Sequence, residues 1–286
     1  MKRALVLGGG GAYGIAWESG ILVGLAQAGV DVRGADFIVG TSAGSQVGAV
    51  VASGLAWEAI WARQVDPLLQ NGGAAPVVDM PALFRLYAQI QAEAKNPQEW
   101  LLSQGTLSRY TVTVSECERL GEIEQRLQLS TWPERLGVVG VDILSGKRVV
   151  WTRESGVDLI PAVAASSALP GVYPAITIGE HRYCDGGVYS MENADAVEGY
   201  AKVLILCVGL PIQTPYVLDQ QIESLRRSGA EVEVIQPDQD VLSILHQTGG
   251  SPVNPKLRAP VAQAAKVQGQ ALAQGIASFW SKDRTG

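Results

Sequence analysis

The chain has 286 residues, and 47% hydrophobic against 17% charged residues excludes a mainly disordered state. A formal net charge of −6 excludes nucleic acid as a main partner, because no basic excess exists to displace counterions, and excludes simple electrostatic attachment to an anionic membrane. Three widely spaced cysteines and two histidines give no metal-ligand spacing, so neither a metal nor a cofactor is expected. The opening reads strand, loop, helix: an apolar strand over 4–7, a glycine loop over 8–14 and a helix over 15–28. That first apolar run is too short for a signal sequence, and no run approaches the ~18 residues of a membrane span. The chain is therefore read as cytoplasmic.

A second apolar strand at 37–39 runs straight into Gly40-Thr41-Ser42-Ala43-Gly44 and a helix over 46–53. Alternating β and α segments with uniformly apolar strands indicate a parallel sheet covered on both faces. Residues 55–110 interrupt this rhythm. Rich in Trp, Leu, Ala and Gln and punctuated at Asn71-Gly72-Gly73, Pro76, Pro81 and Pro97, they predict short helices outside the sheet, a cap. A charged helix follows at 115–127, then a hairpin of strands 138–143 and 149–152 around Ser145-Gly146. A helix is predicted over 158–168, strands over 203–208 and 231–235, and a terminal helix over 255–280. The side chains of Val261, Leu272, Ile276, Phe279 and Trp280 on that helix can pack on the body or touch a membrane or partner. With no repeat or linker, the whole of 1–286 is read as one domain.

The strand–turn–helix at Ser42 satisfies G-x-S-x-G in the context that gives the motif meaning. A serine at such a turn is exposed above the sheet, only glycine fits beside it, and the following helix turns its positive end towards an oxyanion. The loop Gly8 to Gly14 can aim several N–H groups into one cavity. Its Gly9-x-Gly11-x-x-Gly14 spacing also matches a dinucleotide fingerprint, but no acidic residue ends the second strand, and no P-loop Lys-Ser/Thr is present. An oxyanion role is therefore preferred over a phosphate role, with an NAD- or FAD-binding oxidoreductase as the alternative. The hydroxyl needs a base. His246, after an apolar helix, fits the order of a serine triad. His181 lies in what reads as a surface turn. Asp185, in Tyr183-Cys184-Asp185-Gly186-Gly187, can serve if burial raises its pKa and it touches the serine. The residues alone leave His246 and Asp185 both open, and a lipid-binding protein with a silent site is a further possibility. The tryptophans Trp57, Trp61 and Trp100 can line an acyl channel or lid, or simply pack the cap.

The glycine loop, the Gly40–Gly44 elbow near the N-terminus, the stretch from Ala162 to Pro174 and the later Asp185-Gly186-Gly187, in this order, resemble the bacterial patatin-like phospholipases. The resemblance runs from residue 2 to about 240. It implies a three-layer α/β/α sandwich around a mainly parallel sheet and hydrolysis of acyl esters in lipids through an acyl-enzyme, without a metal. It implies a dyad in which Ser42 matches the nucleophile and Asp185 the base. It also implies an oxyanion site in which Gly9, Gly10 and Gly11 are joined by the N–H of Ala43. Family loops usually carry Arg or Lys just before the last glycine; this chain has Tyr13, which weakens the case for an anionic phospholipid headgroup. The usual Asn-Pro after Asp-Gly-Gly stands here as Asn193-Ala194.

Overall fold

A computed structural model describes residues 1–70, 78–247 and 250–281. The predicted punctuation at Asn71-Gly72-Gly73 and Pro76 lies outside the described residues. In chain order the elements are β1 (Arg3–Leu7), α1 (Gly11–Gln27), β2 (Phe37–Thr41), α2 (Ala43–Ala52), α3 (Trp57–Val65), α4 (Met80–Glu93), α5 (Pro97–Tyr110) and α6 (Glu116–Leu127). The hairpin β3 (Leu136–Asp142) and β4 (Arg148–Trp151) follows, then α7 (Leu159–Ser166), β5 (Ile176–Ile178) and β6 (His181–Asp185). The chain continues through β7 (Lys202–Leu206), α8 (Leu218–Arg227), β8 (Glu231–Ile235), α9 (Gln239–Gln247) and α10 (Arg258–Trp280).

The strands form one sheet in the order β5-β6-β3-β2-β1-β7-β8, with β4 also paired to β3. The five strands from β3 to β8 run parallel, while β4, β5 and β6 are antiparallel to their neighbours. Successive residues of a strand point to opposite faces. Leu5, Leu7, Ile38 and Leu204 accordingly join the core beneath α1, α2, α7 and α10, while Ala4, Val6, Val39 and Ile205 join a second core beneath α8. This is the α/β sandwich expected from the alternating pattern.

Two helices begin earlier than the sequence predicts. The N–H of Gly14 already donates to the Gly10 carbonyl at 2.8 Å, so α1 starts within the glycines rather than at Ile15. Glycine's poor helix propensity hid this. Likewise α2 starts at Ala43, directly after Ser42. His181 does not sit in a turn; the turn is Gly179-Glu180, with Gly179 at φ +63°, and His181 opens β6 directly after it.

The terminal helix packs on α1. A Cβ at Gly24 would collide with the Lys266 carbonyl, and one at Gly269 would lie 2.5 Å from the Ile21 carbonyl, so each helix has glycine where the other's backbone passes. Trp17 Nε1 donates to Gln268 Oε1 at 3.0 Å within this contact, and Val261, Ile276 and Trp280 are buried. Among the described residues no helix is long and apolar enough to cross a membrane.

Candidate active site

Strand register brings the two chemical residues together. Leu7 pairs with Gly40, so the glycine loop after β1 and the elbow after β2 emerge side by side at the carboxyl edge of the sheet, where ligands of open α/β sheets bind. On the other side of β2, Thr41 pairs with Val139, and one residue further along β3, Gly140 pairs with Asp185. Ser42 and Asp185 thus face each other across a glycine of β3. Their strands lie two spacings apart, about 10 Å, and the projecting elbow closes that gap. Ser42 Oγ donates to Asp185 Oδ2 at 2.7 Å, across 143 positions of sequence.

The elbow is strained and held. Ser42 has φ 54° and ψ −113°, a conformation that costs an ordinary residue about 1–3 kcal/mol. A Cβ on Gly40 would run into the Gly44 carbonyl, and one on Gly44 into the Leu7 carbonyl, so both flanks require glycine. The Ser42 N–H donates to Ser166 Oγ at 3.0 Å, the Gly44 N–H to the Gly8 carbonyl at 3.0 Å, and Ser45 Oγ to the Ser42 carbonyl at 2.7 Å.

Asp185 is 2% exposed. Its Oδ1 accepts from the Gly187 N–H at 2.7 Å. Burial pushes its carboxyl up to about 7, against the opposing pull of the Ser42 hydroxyl, the Gly187 N–H and the Arg119 charge. Its own N–H donates to the Ala168 carbonyl at 3.0 Å, so the segment 166–168 braces both members of the pair. Asn193, left-handed at φ +52°, ties the two loops together: its Nδ2 donates to Thr41 Oγ1, to the Gly186 carbonyl and to the Ser190 carbonyl.

The glycine loop opens onto the same cavity as Ser42. Gly9, Gly10, Gly11, Ser42, Ala43 and Asp185 line one cavity. The Gly9 N–H, however, donates to the Met191 carbonyl at 2.8 Å, which removes it as an oxyanion donor; Gly9 supplies room beside Ser42 instead. Among the described residues the N–H groups of Gly10, Gly11 and Ala43 have no hydrogen-bond partner, and they stand at or just before the starts of α1 and α2. Tyr13 is buried in the core, away from the cavity.

The opposite wall of the cavity is apolar, with Met80, Phe84, Tyr87 and Trp100 from α4 and α5. Trp57 and Trp61 are not part of it. They ride on α3, which packs against α1 and α10, where Arg33 stacks on Trp57 and Lys266 on Trp61. Neither histidine lines the cavity: His246 is exposed on α9, and His181 Nδ1 lies 2.8 Å from Asp142 Oδ2. No group of three or more His, Cys, Asp or Glu that could hold a metal occurs among the described residues.

Sequence reasoning assigned no role to Ser166, Asn193 or Arg119. Arg119 is 1% exposed, pairs with Glu122 at 3.1 Å, donates to Ser167 and lies over the Tyr173 ring. The signal for it was present: Arg119, Ile123 and Leu127 fall at helical spacing on one face, so a charge shares the buried stripe of α6.

A family model described as patatin-like phospholipase matches residues 5–197. Uncharacterized NTE family proteins of Mycobacterium bovis and Mycobacterium tuberculosis are each 26% identical over 214 residues, covering 72% of this chain and 30% of theirs. The chain therefore spans about a third of the curated relatives it matches. Among solved structures, VipD from Legionella pneumophila overlays with a TM-score of 0.50 at 13% identity, covering 96% of this chain and 67% of that one, a likeness of fold. The type III effector ExoU overlays with a TM-score of 0.45 at 17% identity, covering 96% and 53%.

Proposed function

We propose that this chain, which belongs to the patatin-like phospholipase family, hydrolyses carboxylic esters of lipids through a Ser42–Asp185 dyad and an acyl-enzyme. The observation that carries the reading is the 2.7 Å hydrogen bond from the Ser42 hydroxyl to a carboxylate otherwise buried from water. Asp185 Oδ2 takes the Ser42 proton as Oγ attacks the ester carbonyl. The N–H groups of Gly10, Gly11 and Ala43 receive the oxyanion, each such donor being worth about 3–4 kcal/mol. The C–O bond to the alcohol then breaks and Asp185 returns the proton to the leaving oxygen. In the second half Asp185 takes a proton from water, the hydroxide adds to the acyl carbon, and Ser42 leaves reprotonated. A carboxyl held near 7 is a better base at neutral pH than an ordinary aspartate, which is what a dyad without imidazole requires.

The reading takes the chain as one domain, supported by the packing of the first helix on the last, with α4 and α5 forming the cap over an acyl channel that includes Trp100. It assigns no role to His246 or to a nucleotide on the glycine loop. The experiment is covalent labelling by a fluorophosphonate with turnover of a short-chain ester. Wild type and His246→Ala label and turn over; Ser42→Ala does neither; Asp185→Asn loses about 10²–10⁴ in rate. Retained turnover in Asp185→Asn would refute the dyad, and loss of turnover in His246→Ala would restore the triad reading.

A further inference from the structure

Two carboxyls that the reaction does not use are buried at the root of the glycine loop. Glu18 of α1 is fully buried, and Glu192 is 6% exposed. Both oxygens of Glu18 are out of water, and neither has a hydrogen-bond partner of ordinary geometry. Glu192 follows Met191, whose carbonyl holds the Gly9 N–H, and its Cγ lies 3.6 Å from where a Cβ on Gly8 would stand. The Gly8 carbonyl in turn accepts from the Gly44 N–H of the elbow at 3.0 Å. Burial drives the Glu18 carboxyl well above the ordinary range; the Gly8 backbone pulls the other way, and the charge of Glu192 adds to burial. Burial likewise raises Glu192, against its contact with the Cys207 thiol. That thiol, which receives Gln236 Nε2 at 3.7 Å, is pushed up to about 12 by burial and by Glu192, and so stays neutral.

Among the described residues, the cations of the elements packed around α1 are engaged elsewhere. Arg33 pairs with Asp31, Arg63 donates to the Leu127 carbonyl, Arg258 to Gln64, and Lys266 lies over the Trp61 ring. Lys256 is exposed, and Arg3 and Lys202, paired in register, open β1 and β7 at the ends away from Gly8. Tyr13, on α1 itself, is kept protonated by burial and by Asp238. A carboxylate buried with neither a cation nor hydrogen bonds is far costlier than the neutral acid. We propose that Glu18 is a positioning residue of the oxyanion site that works only as a neutral acid: its ionisation in alkali switches the site off, and Glu192 sets the pH at which this happens. Glu18 follows Gly11 by seven residues, about 10 Å of helical rise, and helical side chains lean towards the N-terminus. Its carboxyl therefore lies within about 10 Å of the Gly10 and Gly11 N–H groups that are to receive the oxyanion. A negative charge at that distance opposes the oxyanion by an amount worth about tenfold in rate. The inference rests on the Ser42–Asp185 reading and adds a second ionisation to it.

The test is the pH profile of kcat on a neutral short-chain ester, from pH about 6 to about 10.5, for wild type, Glu18→Gln and Glu192→Gln. The rate of Ser42→Ala is subtracted at each pH, and each profile is read relative to its own maximum. Wild type should rise through about 7 as Asp185 ionises, hold a plateau, and then fall about tenfold in alkali while its circular dichroism is unchanged. Glu18→Gln, an amide of the same shape that cannot ionise, should lose the alkaline fall. Glu192→Gln should shift the fall to lower pH by about one unit, because the charge that helps Glu18 keep its proton is gone. A side chain that merely fills space would move neither limb. Infrared spectroscopy supplies a readout apart from activity. A protonated-carboxyl band present in wild type at neutral pH should be missing from Glu18→Gln, and in wild type it should vanish over the same pH range as the fall in kcat. If the variants do not fold, that wild-type infrared titration decides. An alkaline fall that persists in Glu18→Gln, a wild type with no fall, or no protonated-carboxyl band at neutral pH would overturn the inference. Ester cleavage that needs Ser42 but shows no alkaline fall removes this inference alone; with no Ser42-dependent cleavage the hydrolase reading falls and takes the inference with it.

Discussion

Replacing Asp185 by Asn should make the protein more stable in alkali and nearly inactive. The wild-type carboxyl is held at about 7, against 3.8 for an ordinary aspartate, chiefly because it is buried. A folded chain that keeps its proton longer than the unfolded chain is favoured at low pH, and that advantage disappears as pH rises through 3.8 towards 7. About three units at 1.36 kcal/mol each give about 4 kcal/mol borne by the folded state above pH 7. The substituted amide carries no charge and escapes this cost. Urea unfolding of wild type and Asp185→Asn at a series of pH values isolates the effect, since other titrating groups cancel in the difference. The difference should move in favour of the Asn variant by about 3–4 kcal/mol between pH 4 and 8. In parallel, wild-type kcat/KM on a neutral ester should rise with pH to a plateau above about 7. Ser42→Ala, which removes a hydrogen bond to the ionised carboxyl, should push the stability transition still higher. A stability difference that stays flat across this pH range would refute the reasoning, because it would mean that Asp185 is not desolvated in the fold.

Gly44→Ala should reduce stability by about 3 kcal/mol or more, or abolish soluble expression, because the added methyl meets the Leu7 carbonyl; thermal unfolding reads it. Asn193→Ala should cost about 2–4 kcal/mol, since it breaks hydrogen bonds to Thr41, Gly186 and Ser190 and places alanine at positive φ, and should lower kcat by loosening Asp185 against Ser42. Ser166→Ala should leave the Ser42 N–H without its acceptor, costing about 1–3 kcal/mol in the same unfolding assay. Gly24→Ala should wedge α10 from α1 and lower stability by about 1–3 kcal/mol, visible as a drop in thermal midpoint.

What the sequence makes legible here is what is local. The elbow at Ser42 is written in eight consecutive residues, because an apolar strand, a tight turn and a helix start impose their requirements on neighbours: Gly40 and Gly44 must be glycine for reasons that lie within a few residues and one adjacent strand. Asp185 is written less clearly. Its Asp-Gly-Gly is an ordinary turn sequence, and its role depends on β6 entering antiparallel beside β3 so that Gly140 lies between it and Ser42. No spacing encodes that pairing; the resemblance supplied it. The braces are less legible still, since Ser166 and Asn193 act through single hydrogen bonds to segments more than a hundred positions away.

The electrostatics of the cavity are the extreme case. A charged helix such as α6 reads as a solvated surface element when its residues are counted, and a third of its positions do face solvent. Counting by face changes the result. Arg119, Ile123, Arg126 and Leu127 recur at the spacing of the buried stripe, so two cations accompany the apolar residues inward. A guanidinium placed on an apolar stripe must find partners or be very costly. Arg119 finds Glu122, Ser167 and the Tyr173 ring, and Arg126 finds Gln46. Those contacts orient the heads along the cavity wall, and Arg258, arriving from α10, adds a third charge of the same sign. A net acidic chain thereby presents a positive wall beside Ser42. Only the tertiary fold could reveal the sign of that field, because it depends on which faces of α6 and α10 turn towards α2.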